Sequence, residues 1–385
     1  MTGVPEPALD HSVLDHPALA NCHSHAFHRA LRGRDVGGDT FWAWRERMYA
    51  VAGVLDPDLL HELATGVYGE MRLAGVGVVG EFHYLHHGPG GTPYADPNAM
   101  GEALVEAARA VGLRICLLDT CYRQAGPGLP AEGVQRRFDD GSAQAWAERA
   151  RDLAERYAGA DDVVVGAAVH SVRAVAPPDL ATVAAALPGA PLHVHVSEQP
   201  AENTACLAAT GRTPVQLLDE AGVWGPRTTA VHATHLTPGD VALLGASRSF
   251  ACFCPTTEAE LADGVGPSVA LREAGARLTL GSDGNTVVDL FAEARAVEMH
   301  ERLTSGRRGS WTAGQLTAAA TVTGYASLGF AGADDRIALD AGSVRLAGVS
   351  TPLWAATAAD VLPELDPGEV AARLGAAVAE VWRRV

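Results

Sequence analysis

The stretch PALANCHSH at residues 17–25 joins a short apolar run to two histidines, His23 and His25, which are two positions apart. Side chains at this spacing on a β-strand point to the same face, so both imidazoles can reach one point in space. Seven further apolar runs follow along the chain, and segments with helical periodicity lie between them. These runs are VGVVGEF (76–82), LRICLLD (113–119), VVVGAAV (163–169), PLHVHV (191–196), TTAVH (228–232), SFACFC (249–254) and RLTLGS (277–282). Eight strands that alternate with helices predict an α/β fold whose strands close into a (β/α)8 barrel of the TIM type.

Several helices between the runs have recognisable ends. Asp56-Pro57 and Ser142 each precede a stripe of apolar residues at helical spacing, and Asp366 precedes a final helix. Such residues cap helix starts by accepting hydrogen bonds from exposed backbone N–H groups. The stretch from Cys121 to Gly141 is rich in glycine and proline and is longer than most loops, which predicts a lid over one end of the barrel.

Polar side chains follow most of the apolar runs directly. In barrels of this type the active site lies at the carboxyl ends of the strands, so these side chains are expected to meet at one rim. Imidazole and carboxylate groups are ligands that divalent metal ions such as zinc prefer. The sequence therefore predicts a metal-centred site built from residues at this rim: His23, His25, His83, Tyr84, His170, Arg173, His195, Glu198, His232 and Asp283.

Composition limits the partners and the compartment. The 385 residues carry a net charge of −17, and all 29 basic residues are arginine. A chain this acidic is not expected to bind nucleic acid or an anionic membrane, so an anionic substrate requires local arginines. The six cysteines form no CxxC pair, no apolar run is long enough to span a bilayer, and the first residues lack an export signal. These features predict a cytoplasmic protein with reduced cysteines.

The rim motifs resemble those of the amidohydrolase superfamily, whose members carry HxH after the first strand, His after the fifth and sixth strands, and Asp after the eighth. Within it the chain resembles the formimidoylglutamate deiminase (N-formimino-L-glutamate iminohydrolase) family. The stretches that carry the resemblance lie between Asn21 and Asn285 and are ANCHSHAFHRA, TFWAWRERMYA, GEFHYLHH, HSVRAV, HVHVSEQ, VHATHLTP, CPTTEAELADG and LGSDGN.

The resemblance implies that His23, His25, His195 and Asp283 hold one divalent ion, zinc, with another metal such as iron as the alternative. Binuclear relatives bridge two ions with a carboxylated lysine, and this chain has no lysine. The implied site is therefore mononuclear, and a bound ion lowers the pKa of a water toward neutrality.

The same resemblance assigns three catalytic residues. Glu198 lies three residues beyond His195, where it could pass a proton to the departing nitrogen as a general acid. His232 could polarise the attacked C=N carbon or share in activating the water, and Asp283 could accept the water's proton. An alternative for Glu198 is a carboxylate that only orients a ligand histidine.

The part of the site that binds the substrate is expected to carry positive charge. Arg45 and Arg173 suit the two carboxylates of a small, anionic, amino-acid-derived substrate, because a guanidinium pairs with a carboxylate through two hydrogen bonds. Tyr84, His170 and His28 are expected to contribute further substrate contacts. A surface position for Arg45 and a structural ion pair for Arg173 are the alternatives.

Two local departures from the family pattern leave the substrate open. His28 stands where the family usually has glutamine, and Gly284-Asn285 replaces the usual Ser-His. The main prediction is zinc-dependent hydrolysis of N-formimidoyl-L-glutamate to N-formyl-L-glutamate and ammonia, a step of histidine degradation. A deaminase of a nucleobase or another amidine is the alternative enzyme, and a non-catalytic metal- or ligand-binding barrel is the alternative of another class.

The chain ends depart from the family as well. Only 22 residues precede His23, so the small β-sandwich of most relatives is expected to be reduced or missing. We predict the barrel at 17–330, a sandwich remnant at 1–16 and 331–352, and a C-terminal helical segment at 353–385. Apolar surface left uncovered near 339–354 suggests a homodimer.

Overall fold

The computed structural model describes residues 13–34 and 41–385, and eight parallel strands form its central sheet. Hydrogen bonds join the strands in chain order from β1 to β8. They are β1 Leu19–Ser24, β2 Val76–His83, β3 Arg114–Cys121, β4 Val163–Val169, β5 Leu192–Val196, β6 Thr228–His232, β7 Phe250–Phe253 and β8 Arg277–Leu280. Each of the eight strands overlaps one apolar run of the sequence, so the predicted α/β barrel class is confirmed.

The barrel closes between its first and last strands at the carboxyl rim. Ser24 and Asp283 form a parallel bridge, in which Asp283 N donates to His23 O over 2.9 Å and His25 N donates to Asp283 O over 3.0 Å. Below this bridge the buried amide of Asn21 donates to Ser282 Oγ over 2.7 Å and accepts a hydrogen bond from Ser282 N. The backbone on both sides of Ser24 is therefore held against the backbone of Asp283.

Helices surround the strands, and their predicted starts are confirmed by the caps. Asp56 accepts a hydrogen bond from Leu59 N, Ser142 accepts one from Ala145 N, and Asp366 accepts from two N–H groups of the last helix. No helix of the described residues is long and apolar enough to cross a membrane. The α-helices are Phe41–Val54, Pro57–Leu73, Ala99–Ala110, Ala143–Arg156, Pro177–Ala186, Pro200–Thr210, Pro214–Glu220, Pro238–Ala246, Pro255–Glu260, Ser268–Ala274, Leu290–Ser305, Ala313–Ala320, Val322–Ser327 and Pro367–Arg384, and the short 3-10 helices are Ala26–Leu31, Pro89–Gly91, Gly133–Arg137, Pro352–Trp354 and Ala358–Asp360.

The two ends of the described chain pack on the barrel. Strand Val13–Pro17 pairs antiparallel with strand Arg336–Asp340. The last helix, Pro367–Arg384, lies on helix Pro57–Leu73, where an added Cβ at Gly66 would come within 2.9 Å of Leu374. Glycine there allows the two helix backbones to approach closely. The predicted domain boundaries, and the origin of the paired strands in a β-sandwich, stay predictions.

The long loop after β3 is ordered by its own contacts. It contains a small hairpin, Gln124–Gly126 with Leu129–Pro130, and the 3-10 turn Gly133–Arg137. The buried guanidinium of Arg137 donates to the backbone oxygens of His87 (2.8 Å) and Leu55 (2.5 Å). The loop is therefore fixed over the rim of the barrel.

A buried ionic network holds the far end of this loop. Arg149 pairs with Asp140 over 2.8 Å and with Asp119, near the end of β3, over 2.7 Å. His87 contacts Asp140 over 3.1 Å, and His86 Nε2 contacts Thr120 O over 2.9 Å. Both of these histidines therefore have structural partners away from the predicted metal ligands.

Candidate metal centre and active site

The four predicted metal ligands converge at the rim, where β1, β5 and β8 end. His23 Nε2 and His25 Nε2 lie 3.5 Å and 3.4 Å from Asp283 Oδ1, and His195 Nε2 lies 3.0 Å from His23 Nε2. All four side chains are almost completely buried. The geometry brings three imidazoles and one carboxylate around one point, as the strand-end pattern predicts.

Backbone contacts turn two of the ligand imidazoles toward that point. His25 Nδ1 lies 2.9 Å from Phe82 O, and His195 Nδ1 lies 3.0 Å from His170 O. A carbonyl can only accept, so each Nδ1 carries the hydrogen and each Nε2 presents a lone pair to the centre. Burial, helped by the neighbouring imidazoles, lowers the pKa of both rings well below the usual value. Neutral imidazole lone pairs beside a carboxylate are the donor set that suits a divalent ion.

Asp283 stays ionised in this arrangement. Burial alone would raise its pKa, but the hydrogen bond from His23 and the charges of His23, His232 and His25 lower the pKa well below the usual value. Its backbone lies in the left-handed region, with φ at 44°, as does that of His232, with φ at 67°. Such strain in residues other than glycine is typical of functional sites.

His232 lies among three carboxylates. Its Nε2 is 3.9 Å from Glu198 Oε1 and 3.8 Å from Asp283 Oδ2, and its Nδ1 is 3.4 Å from Glu258 Oε1. Burial lowers the pKa of His232, but these three carboxylates outweigh burial and raise it well above the usual value. His232 can therefore hold a proton beside the convergence point of the ligands.

Glu198 lies at the opening of the same site, with 22% of its side chain exposed. Burial raises its pKa, and the charge of Asp283 adds to this, although His232 acts in the opposite direction. A carboxyl group with a raised pKa next to an imidazole is suited to donate a proton near neutral pH.

Two residues near His232 were missed by the sequence reasoning. Glu258 accepts a hydrogen bond from Cys254 N over 2.9 Å, which directs its carboxylate at His232 Nδ1. The Cys254 thiol lies within 4.8 Å of the donor atoms of His232 and Asp283. The only signal for Glu258 was its position in the stretch CPTTEAELADG, just after β7.

One pocket above the ligands collects most of the predicted site residues. Of the predicted residues, His23 is buried beneath the floor of this pocket and His83 lies outside it, with its ring against His86. The others line the pocket: His25, His28, Arg45, Tyr84, His170, Arg173, His195, Glu198, His232 and Asp283. The sequence predicted no site role for the rest of the lining, half of which is aromatic: Trp44, Met48, Tyr49, Tyr122, Phe138, Thr257, Leu261 and Gly284. Tyr122 and Phe138 come from the predicted lid loop after β3.

The two predicted carboxylate-binding arginines reach the pocket from different elements. Arg173 follows β4. Burial lowers its pKa, but the nearby Tyr122 and Glu202 outweigh burial, so the pKa of Arg173 is raised. Its Nη1 is buried and has no hydrogen-bond partner among the described residues. Arg45 lies on helix Phe41–Val54, with its guanidinium 5.4 Å from the ring centre of Tyr49. The structure therefore places both guanidinium groups at the pocket, as an anionic substrate requires.

The two departures from the family motif have defined contacts. His28 Nε2 lies 2.9 Å from the Tyr84 hydroxyl, and burial lowers the pKa of His28 to about 4, so the ring is neutral. Asn285 faces the barrel seam, where its amide donates to Ser24 Oγ and His25 O, both over 3.1 Å. His28 therefore shapes the pocket wall, whereas Asn285 supports the backbone beside the ligands.

Comparisons with known proteins agree with this geometry. Residues 16–333 match the amidohydrolase family model. The chain is 40% identical over 298 residues to formimidoylglutamate deiminase from Pseudomonas aeruginosa, which covers 76% of this chain and 65% of that protein. It is 31% identical to 8-oxoguanine deaminase from the same species, covering 78% of this chain and 66% of that one. The chain thus aligns with slightly less than two thirds of the length of these curated relatives.

Solved structures share the fold. An amidohydrolase from Brucella melitensis superposes with a TM-score of 0.87 at 30% identity, covering 96% of this chain and 90% of that chain. An adenosine deaminase from Xanthomonas campestris with bound zinc superposes with a TM-score of 0.82 at 21% identity, covering 97% and 87%. At this low identity, the similarity to the Xanthomonas campestris protein shows only that the two chains share a fold.

Proposed function

The chain belongs to the amidohydrolase family, and on that premise we propose that it converts N-formimidoyl-L-glutamate and water to N-formyl-L-glutamate and ammonia. The choice of substrate depends mainly on one observation. The buried, unpartnered Nη1 of Arg173 lies at the pocket that also contains Glu198 and the metal-ligand side chains. An unsatisfied buried guanidinium is costly unless an anion pairs with it, so the pocket calls for a substrate carboxylate beside a hydrolytic centre.

We assign one divalent ion to His23, His25, His195 and Asp283, with zinc as the metal and iron as the alternative. The support is the donor set described above and the absence of lysine, which removes the usual bridge to a second ion. When bound, the ion acts as a Lewis acid that lowers the pKa of a water toward neutrality.

The surrounding side chains supply the proton transfers. Asp283 is the base for the attacking water, because it is ionised at neutral pH and can therefore accept a proton. His232 faces the same point, where its protonated ring can polarise the attacked C=N group. Glu198, with its raised pKa, protonates the terminal nitrogen, and the proton that Asp283 took from the water then moves to the same nitrogen, so the C–N bond breaks with loss of ammonia. The remaining hydroxyl proton returns to Glu198 as the carbon becomes a formyl group.

Recognition of a dianion explains the rest of the pocket. The chain as a whole carries a net charge of −17, so long-range attraction does not bring an anion to the site. Arg45 and Arg173 provide local positive charge at the pocket, one for each carboxylate of a glutamate derivative. Glu198 lines the same pocket and interacts with the charges of both Arg173 and Asp283, so we place the amidine next to it.

A second candidate function has one observation in its favour. The pocket wall is rich in aromatic rings, among them Trp44, Tyr84 and Phe138, and His28 adds a neutral imidazole. Rings of this kind can stack on a flat heterocycle, so an aminopurine or another cyclic amidine is the alternative substrate. Two arginines at the pocket favour the dianion instead.

Ammonia release from a substrate panel tests the choice. The zinc-loaded protein is given N-formimidoyl-L-glutamate, N-formimidoyl-L-aspartate, the glutamine analogue, 8-oxoguanine and adenosine. We expect the highest kcat/KM for the glutamate compound, and a loss of at least tenfold when the side-chain carboxylate becomes an amide. Faster turnover of a purine would replace the proposed function with the alternative.

The assembly and the cytoplasmic location stay predictions. Within 339–354, Leu339 and Leu353 are buried inside the chain, whereas Val344 is 86% exposed and Trp354 is 36% exposed. We propose a homodimer that covers the two exposed side chains. Light scattering that shows a dimer at micromolar concentration supports this assembly, and a monomer removes it.

A further inference from the structure

The lid loop contains one buried amide that contacts two pocket phenols. Gln135, in the 3-10 turn Gly133–Arg137, is only 5% exposed. Its Nε2 donates to the Tyr49 hydroxyl over 2.9 Å and to the Tyr122 hydroxyl over 3.0 Å. Tyr49 lies on the first helix and Tyr122 follows β3, so Gln135 joins two separate walls of the pocket.

The orientation of this amide is fixed by the turn itself. Glu132 N lies 3.2 Å from Gln135 Oε1, and the Glu132 carboxylate accepts the hydrogen bond of the Gln135 backbone N–H. A backbone N–H can only donate, so its partner on Gln135 must be the oxygen. The nitrogen of the amide therefore faces the phenols, with one hydrogen for each.

This orientation decides what the phenols can offer. A phenol oxygen has one hydrogen to give and two lone pairs to accept with. Because Gln135 donates to both hydroxyls, neither phenol can give its hydrogen to that nitrogen. The two hydroxyls also interact with each other, and the hydrogen bond to Tyr122 helps to raise the pKa of Tyr49, so Tyr49 is the donor and the hydrogen of Tyr122 is left for the pocket. Burial also raises the pKa of Tyr49, so this hydroxyl keeps its proton at neutral pH.

Arg173 completes a patch made of donors. Both Tyr122 and Tyr49 are close enough to raise its pKa, and its Nη1 is buried without a partner among the described residues. Arg173 also hydrogen-bonds Tyr122. The carboxylate of Glu202, which acts on Arg173 as well, lines a neighbouring cavity that Arg173 shares, and it is not part of the pocket with the phenols. The hydroxyl hydrogen of Tyr122 and the buried Nη1 of Arg173 therefore need an acceptor that the pocket wall itself does not supply.

We propose that Tyr49, Tyr122 and Arg173 form a carboxylate subsite, the phenol subsite, in which Gln135 is the positioning residue that keeps both hydroxyls as donors. The subsite rests on the proposed function in that it takes one carboxylate of the substrate. Its ligand class is a small dicarboxylate or an amidine derivative of one, and Gln135 acts on it only through the two tyrosines.

The perturbations follow from the direction of the hydrogen bonds. Tyr122→Phe removes one hydrogen bond to a charged acceptor, which raises KM for N-formimidoyl-L-glutamate about ten- to a hundredfold. Tyr49→Phe removes only the hydrogen bond that supports Tyr122, so it raises KM less. Gln135→Leu removes the group that orients the two phenol hydroxyls, and it raises KM about as much as Tyr122→Phe. Gln135→Glu turns the donor into an acceptor, so the phenols donate to it instead, and KM rises about a hundredfold or more. In all of these variants kcat stays within about threefold and zinc content is unchanged.

A matched control separates this role from simple support of the turn. Gln216 makes the same capping contact, with Thr213 N donating to Gln216 Oε1 over 3.0 Å, far from the pocket. Gln216→Leu should leave KM unchanged. In the Tyr49→Phe/Tyr122→Phe background, Gln135→Leu should add less than about twofold, because its only route to the substrate is gone.

The experiment measures kinetics and binding for each variant. Kinetics compare N-formimidoyl-L-glutamate with N-butylformamidine, which has the amidine but no carboxylate and should be unaffected. Calorimetric titration of glutarate into the zinc-loaded protein should show affinity reduced at least tenfold in Gln135→Glu and unchanged in Gln216→Leu. If Gln135→Leu leaves both KM and glutarate affinity unchanged, or slows N-butylformamidine equally, the phenol subsite is wrong. If the wild type binds glutarate as expected but does not hydrolyse N-formimidoyl-L-glutamate, the subsite stands and the proposed function falls.

Discussion

Replacing Arg173 by methionine removes the charge at the pocket and keeps most of the length and apolar stem of the side chain. The guanidinium has a buried Nη1 with no partner in the described chain, and under the proposed function it pairs with a substrate carboxylate. A charge-assisted pair with a buried carboxylate contributes roughly 2 to 4 kcal/mol, more than the 1 kcal/mol or less of an exposed ion pair. At 1.36 kcal/mol for each factor of ten, kcat/KM should fall about 30- to 1000-fold.

The variant is expected to fold and to keep its metal. Burial raises the pKa of Glu202 to about 7, and Arg173 acts against that rise. Without Arg173 the carboxyl of Glu202 becomes protonated more readily, so no uncompensated buried charge remains. None of the four proposed ligands touches this pair, and zinc content should therefore equal that of the wild type.

The assay compares a charged and an uncharged substrate. We expect the loss with N-formimidoyl-L-glutamate and a change below about threefold with N-butylformamidine. Arg109→Met is the matched control, because Arg109 already pairs with Asp162 on the surface over 2.8 Å and should not affect either substrate. Equal losses for both substrates, or none for either, would show that Arg173 is structural and would refute the carboxylate assignment.

Three further predictions concern the metal, the acid and a buried carboxyl. His195→Ala should lose both metal and turnover. Glu198→Gln should keep the metal, and its kcat should fall at least about a hundredfold, as expected for loss of a general acid. A Glu198→Gln protein without metal would instead show that Glu198 is a metal ligand or supports one. Metal analysis should give one ion per chain with and without added bicarbonate, and two ions with proportionally higher activity would overturn the mononuclear assignment. Glu293 accepts a hydrogen bond from Thr256 N over 3.0 Å, and burial raises its pKa to about 8. The folded state therefore holds a proton that the unfolded state releases between about pH 4.5 and 8, so the free energy of unfolding should fall across this range, by about 5 kcal/mol at most. In urea titrations at several pH values, the free energy of unfolding of Glu293→Gln should fall less with pH than that of the wild type. An equal dependence on pH in the two proteins would contradict the raised pKa of Glu293.

The strands and the metal ligands were accessible from sequence because both depend on local signals. Short apolar runs mark strands that are covered on both sides, and parallel strands end at one rim, so polar residues after the runs must meet there. The proposed ligands His23, His25, His195 and Asp283 all follow this rule, and the resemblance to the amidohydrolase family distinguishes them from the other rim residues. Even the pairing of β1 with β8, which are over 250 residues apart, follows from closure of a barrel with eight strands.

The remaining site residues depend on contacts that sequence patterns do not encode. Glu258 lies in the helix Pro255–Glu260, where a carboxylate resembles an ordinary exposed residue of a first turn. His232, at the end of β6, comes next to Glu258 only in the folded barrel. Gln135 lies in a loop without periodicity, and its contacts to Tyr49 and Tyr122 need the fold of the whole loop. The pairing of Val13–Pro17 with Arg336–Asp340 likewise has no local signal.

The central claim is hydrolytic loss of the terminal nitrogen from a formimidoyl group. Carbon-13 NMR of N-formimidoyl-L-glutamate labelled at the formimidoyl carbon, incubated with the zinc-loaded protein, tests it most directly. We predict that the labelled carbon appears in N-formyl-L-glutamate, with one ammonia released for each molecule consumed. Label in formamide together with free L-glutamate, or no turnover by protein that contains its metal, would contradict the claim.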